Sequence, residues 1–276
     1  MSKFLTRAVT GLAFAAALIG CIYWNQWSFG GLFLLITVLG TLEFYRLSKK
    51  MKAQPRALIG AVVAGLLFVF SFCLASGIAE GKHFLGLALI LIFGLFLVEL
   101  FSKSKQPFLN IAFTSLGWIY IVVPFALLPF LGFFRSDVRT EDYSPEILLG
   151  YLFCLWLNDT GAYMVGSQIG RTKLFERVSP NKTWEGTIGG LVFGVGVAVL
   201  CSYLFDVLSF SEWLGLGIIT VITGSLGDLV ESRLKRSIGV KDSGNLLPGH
   251  GGILDRFDAV LGSAPFVAAY LGWLPS

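Results

Sequence analysis

Apolar runs of about 20 residues, each long enough to bridge the hydrocarbon core of a bilayer, recur from one end of this chain to the other. Residues are 55% hydrophobic and only 14% charged, with a mean hydropathy of +0.76. A soluble core cannot absorb so much apolar side chain. The runs near residues 8–25, 28–45, 57–78, 84–101, 110–134, 147–167, 187–206, 213–231 and 257–274 predict an all-α, polytopic integral membrane protein of about nine transmembrane helices. The fifth run contains Pro124 and Pro129, which predict either two re-entrant halves or one kinked helix.

Short cytoplasmic loops carry the excess of lysine and arginine, and here the bias is nearly complete. With the N-terminus cytoplasmic, all but Lys82, Arg135 and Arg139 of the 21 basic residues fall on that side. The external loop that follows the fifth run is acidic, with Asp137, Glu141, Asp142 and Glu146. An odd number of spans, with the C-terminus external, keeps both large basic loops inside. The first run is read as a permanent helix rather than a signal peptide, because it is long and the next run follows at once. A net charge of +4 is explained by this topology and by anionic headgroups, so it argues for no nucleic acid. Cys21, Cys73, Cys154 and Cys201 sit inside apolar runs without metal or disulfide spacing.

The chain divides into an N-terminal helical scaffold, 1–135, and a C-terminal catalytic region, 147–276, with cytoplasmic loops at 168–186 and 232–256. In the first part Glu43 and Glu99 are the main acidic residues near helix ends. Polar residues enter the later runs. Asp228, Glu231 and Ser232 share a helix face at spacings of three and four. Ionisable groups within a span are costly and usually functional. Asn158 and Asp159 lie deeper still, where Asp159 needs a metal, an arginine or a polar network as partner. The loop from Gly170 to Gly186 joins basic residues to a Ser179-Pro180 turn and a helix start, which suits an anion, although a basic cytoplasmic loop explains it equally.

The densest polar segment is 232–258. Lys235 and Arg236 fall at headgroup level, where anchoring of a helix end is the simpler reading. Beyond them lie Lys241-Asp242-Ser243-Gly244 and Pro248-Gly249-His250-Gly251-Gly252, a glycine-rich loop whose amides can cradle phosphate oxygens. It ends in Asp255-Arg256-Phe257-Asp258. Two carboxylates there suit a hard cation and the arginine suits a phosphate. Helix capping by Asp255 or Asp258 is the alternative.

Over those positions, from Ser232-Arg233-Leu234-Lys235-Arg236 through Lys241-Asp242 to Pro248–Asp258, the chain resembles the phosphatidate cytidylyltransferases. The resemblance extends upstream through Gly227-Asp228, Ser179–Thr183 and Asn158-Asp159. It implies a transfer of the cytidylyl group of CTP to phosphatidate, giving CDP-diacylglycerol and diphosphate, at the cytoplasmic face and with Mg²⁺. It also implies a homodimer in membrane lipid. The chain is compact and without a transit peptide, which points to a bacterial plasma membrane. Carried onto this chain, the resemblance gives the metal to Asp228 and Asp255, with room for a second cation. The catalytic set adds Lys241 and Arg256. Lys235, Arg236, Lys182, Ser179, Ser232, Asp242, Asp258 and Asp159 become substrate contacts, together with Gly249, His250, Gly251 and Gly252 of the loop. A CTP-dependent lipid alcohol kinase would use similar aspartates but pass on the γ-phosphate. An ion transporter would use Asp159 and Asp228 but leave the glycine loop without a purpose.

Overall fold

The computed structural model describes residues 3–134, 143–244, 246 and 251–274. Gly249, His250 and most of the acidic external loop therefore lie outside the described residues. The helices are α1 (Lys3–Trp24), α2 (Gln26–Ser48), α3 (Ala57–Ala75), α4 (Gly81–Leu100), α5 (Pro107–Gly117), α6 (Val123–Gly132), α7 (Glu146–Ile169), α8 (Trp184–Leu204), α9 (Phe210–Ser237) and α10 (Leu254–Trp273). Among the described residues five helical runs are both long and apolar enough to cross a membrane: Gln26–Met51, Ala57–Ala75, Pro107–Gly132, Trp184–Leu204 and Phe210–Ser237. The fold is all-α apart from one hairpin, in which β1 (Lys173–Phe175) pairs antiparallel with β2 (Ser179–Thr183) inside the loop before α8.

Between α5 and α6 the two prolines do not divide the run. A π-helical turn, Trp118–Val122, joins the two helices just ahead of Pro124. Proline cannot donate to the carbonyl four residues earlier, and a widened turn absorbs the lost bond and the ring's bulk.

The chain forms two compact units, one of residues 1–143 with 242–256, the other of 144–241 with 257–276. In the first, α2 supplies the core. Phe29, Phe33, Phe44 and Tyr45 are buried to 2% exposure or less. Polar side chains cross-link this unit's helices at specific backbone carbonyls and carboxylates, as packing in an apolar solvent favours. Tyr45 Oη donates to the Thr114 carbonyl at 2.9 Å, and Trp118 Nε1 to the Gly60 carbonyl at 3.0 Å. Arg56 grips Glu99 through Nε and Nη2 at 2.8 and 2.9 Å, fastening the start of α3 to the end of α4. Leu58, Ile90, Phe93 and Leu97 face outward as a lipid-contacting surface would.

Glu43 does more than end a helix. Its side chain, on α2, is buried and accepts hydrogen bonds from the amides of Ile253 (3.0 Å) and Leu254 (3.1 Å) and from the Ser243 hydroxyl. Asp255 answers from the other direction, accepting the amides of Ser243 (2.9 Å) and Gly252 (2.8 Å). Gly252 is required at its position because a Cβ would strike the Glu43 carboxylate and the Ser243 hydroxyl. Gly251, at φ +84°, takes a left-handed conformation that other residues resist. The two ends of the polar loop are thus pinned together on the first unit.

In the second unit, small residues let helices approach to backbone contact. A Cβ on Gly227 of α9 would fall 2.6 Å from the Gly262 Cα of α10 and 2.7 Å from the Asp258 carbonyl. On the α7–α8 interface, a Cβ on Gly186 would fall 2.8 Å from the Ala162 carbonyl. Trp213 and Tyr151 close the core, and Tyr151 Oη meets Ser263 Oγ at 2.7 Å.

Removing the Glu43 acceptor strands two backbone amides and a hydroxyl. Glu43→Ala is expected to cost on the order of 3 kcal/mol and to speed hydrogen exchange at Ile253 and Leu254. Glu43→Gln keeps one acceptor but turns an NH₂ toward those donors, so it should lie between Ala and wild type. Thermal unfolding in detergent with amide exchange by mass spectrometry reads both, and unchanged exchange at 253 and 254 would refute the anchor.

Candidate active site

The second unit gathers charged groups from three directions. Asp228 lies on the cytoplasm-expected half of α9, one residue past the Gly227–Gly262 contact. Its carboxylate accepts the Ser232 hydroxyl at 3.2 Å, the (i, i+4) relation expected of that helix face. Lys182, carried by β2, forms an ion pair with it. The hairpin places Lys182 there. Thr183 ends β2 and caps α8, its Oγ1 accepting the Gly186 amide at 3.2 Å. Glu185 in the first turn of α8 ties the loop back by accepting the amides of Arg171 and Thr172, both at 3.1 Å.

These groups open onto a cavity of about 470 Å³, walled by α7, the hairpin, α8 and α9. Asp159, Lys182 and Asp228 line it together with Asn158, Tyr163 and Leu174, so it offers both polar and apolar surface. Three residues singled out from sequence are brought together here. Asn158 is buried at 2% exposure, and its Nδ2 donates to Ser225 Oγ at 3.3 Å. Its Oδ1 has no hydrogen-bond donor among the described residues. A buried acceptor left in this way asks for a ligand or ordered water.

Asp258, on α10, is in electrostatic contact with Asp228, Glu231 and Asp159. Opposing them are Lys182 on Asp228 and Lys235, whose Nζ lies 2.9 Å from Glu231. Carboxylates from α7, α9 and α10 thus act on one another at this end of the unit, with the Lys182 and Lys235 ammonium groups among them. Among the described residues no three carboxylate, imidazole or thiol groups form a metal cluster. A cation held beside Asp228 would have to take the rest of its shell from water and phosphate oxygens, which Mg²⁺ chemistry allows.

The remaining expected residues are distributed more widely. Lys235 is buried and paired, a structural ion pair within α9 rather than an open anchor. Arg236 is exposed and reaches the Val240 carbonyl at 3.4 Å. Lys241, Asp242 and Arg256 are exposed; Ser179 is half-buried at the start of β2. Asp255 does cap backbone, and the amides of Ser243 and Gly252 are directed to it. With Ile253 and Leu254 donating to Glu43, these four amides already have acceptors within the chain. Glu43 is the residue that sequence reasoning missed. Its signal was present as a lone carboxylate in an apolar helix, which needs donors somewhere.

The cytidylyltransferase family model matches residues 5–274. A Bacillus subtilis protein named phosphatidate cytidylyltransferase is 34% identical over 239 residues, covering 85% of this chain and 86% of that one. Proteins of the same name from Staphylococcus aureus (strain COL) and Staphylococcus saprophyticus are 42% and 43% identical, each over 60% of this chain and 61% of theirs. With the match running almost from end to end, the chain belongs to the cytidylyltransferase family.

Proposed function

We infer that this chain is a phosphatidate cytidylyltransferase, an enzyme of phospholipid biosynthesis that uses CTP. The observation that carries the reading is the match to a protein of that name along 86% of its length, in a chain of apolar helices. In the reaction an ionised oxygen of the phosphatidate phosphomonoester attacks the α-phosphorus of CTP. A new P–O bond forms there as the bond to the bridging oxygen breaks, and diphosphate leaves. No general base is needed, because the attacking oxygen is already ionised near neutral pH. Two polyanions must instead be brought together, which is a task of positioning and charge neutralisation.

Asp228 and Asp255 are the proposed Mg²⁺ ligands, with a second cation nearby. When bound, the metal supplies Lewis-acid neutralisation of phosphate charge. Lys182 presents a cation to the cavity, and we assign it, with Lys241 and Arg256, to phosphate oxygens. The distribution of lysine and arginine supports nine spans with a cytoplasmic N-terminus and an external C-terminus. On that topology the site faces the cytoplasm, where CTP is. The bacterial relatives support a plasma membrane, and the resemblance supports a homodimer.

Purified protein in detergent with CTP, Mg²⁺ and phosphatidate should release diphosphate and form a CDP-linked lipid. CDP release with a phosphorylated lipid alcohol would replace this reading with a kinase. Chelation by EDTA should abolish turnover and added Mg²⁺ should restore it; activity that survives chelation removes the metal from the scheme.

Asp228→Asn and Asp255→Asn should each lower kcat by at least about a hundredfold while the protein elutes as wild type on gel filtration. Lys182→Met tests a different point. It frees Asp228 of its cation, so the Mg²⁺ concentration for half-maximal rate should fall even as kcat drops. An unchanged Mg²⁺ dependence would separate Lys182 from the metal.

A further inference from the structure

The first unit holds a cavity of its own, of about 380 Å³, at the ends of α2 and α4 and the starts of α3 and α5. Its walls are two connections. Lys52 and Gln54 come from the link after α2; Lys103, Ser104, Lys105 and Gln106 come from the link after α4. Asn110, on α5, closes the floor. Among the described residues no apolar and no acidic side chain lines it. Ordinary small-molecule pockets are predominantly apolar, so this one suits a compact anion rather than an acyl chain or a ring.

The cavity is braced rather than a chance gap between loops. Asn110 is buried at 1% exposure, accepts the Gln54 amide at 2.9 Å and donates to Ser104 Oγ at 2.8 Å. Behind it the bidentate Arg56–Glu99 pair fixes the two connections to each other. Lys52 holds a left-handed backbone, φ +62°, the one non-glycine residue to do so among those described. That conformation ends the short 3-10 turn Lys49–Met51, with the Lys52 amide donating to the Lys49 carbonyl, and it sets the direction in which the connection leaves α2. None of the three lysines pairs with a carboxylate among the described residues. Three like charges around one polar cavity repel unless an anion lies between them.

We propose that this cavity binds a phosphate group, with Lys52, Lys103 and Lys105 as its cations and Gln54, Gln106 and Ser104 as hydrogen-bonding partners. A phosphodiester lipid headgroup and free inorganic phosphate share that chemistry. Basic pockets at the ends of membrane helices take up headgroups. The site is separate from the residues assigned to cytidylyl transfer and stands whether or not those assignments hold.

The full chain in a neutral detergent is titrated with phosphatidylglycerol and, separately, with inorganic phosphate, and bound molecules are counted by native mass spectrometry. Replacing lysines at the cavity should weaken binding about fivefold per residue, and about a hundredfold in K52Q/K103Q/K105Q. K49Q/K50Q removes two charges from the same connection without touching the cavity and should stay within about twofold, since exposed charges beyond it are screened. Phosphatidylglycerol that inorganic phosphate does not displace identifies a headgroup site. Inorganic phosphate bound alone, with the same loss in the triple variant, identifies a free-phosphate site. Equal losses in the two variants, or none in the triple variant, reduce the cavity to diffuse surface charge and overturn the proposal. If the triple variant unfolds, Lys52→Gln alone carries the comparison at about fivefold.

Discussion

A single buried carboxylate on the second helix holds the most polar segment of this chain in place. Burying a charge is expensive unless donors surround it. Glu43 has three: the amides of Ile253 and Leu254 and the hydroxyl of Ser243. No lysine or arginine among the described residues pairs with it. Its partners are some 200 residues away in sequence, at both ends of the glycine-rich loop. The loop therefore cannot be treated as an appendage of the helix that follows it. Its ends close on each other through Asp255 and are then fastened to α2 through Glu43.

The second unit reaches its polar geometry by a different route. Glycines at 186, 227 and 262 bring α7, α8, α9 and α10 to backbone contact. That closeness puts Asp228 and Asp258 in each other's electrostatic range and lets the hairpin carry Lys182 onto Asp228. Larger residues would separate the helices and lengthen every one of these interactions. Beside them the buried Asn158 Oδ1 has no hydrogen-bond donor among the described residues, an acceptor that ordered water or a ligand would satisfy.

Much of this was legible in the sequence because the governing interactions are local. Helices at the apolar runs follow from length and composition. The Asp228–Ser232 relation follows from helical spacing, and a basic loop near Asp159 follows from topology. What escaped were pairings set by tertiary contact. Nothing near Glu43 announces the amides of 253 and 254, and nothing in the Gly170–Gly186 segment distinguishes a β-hairpin from a turn. The π turn before Pro124 was undecidable for another reason. Proline removes one hydrogen bond, and whether a helix breaks or widens depends on neighbours such as α2 and α3 that pack against it. Lys235, expected from the resemblance among the substrate contacts, pairs with Glu231 one turn earlier on the same helix, a relation that the (i, i+4) spacing already allows.

The amides at two helix starts have acceptors of the protein's own. Glycine-rich loops and helix starts suggest phosphate held by backbone amides and the positive end of a helix dipole. Here both helix starts are closed by the protein's own side chains. Thr183 takes the Gly186 amide of α8, while Glu185 draws the loop before it inward. Glu43 and Asp255 take the amides leading into α10. A carboxylate at a helix start satisfies the dipole and simultaneously repels a phosphate. The amides described at these two starts therefore already have acceptors in the protein's own side chains, and an anion beside them would meet carboxylate charge rather than free N–H groups.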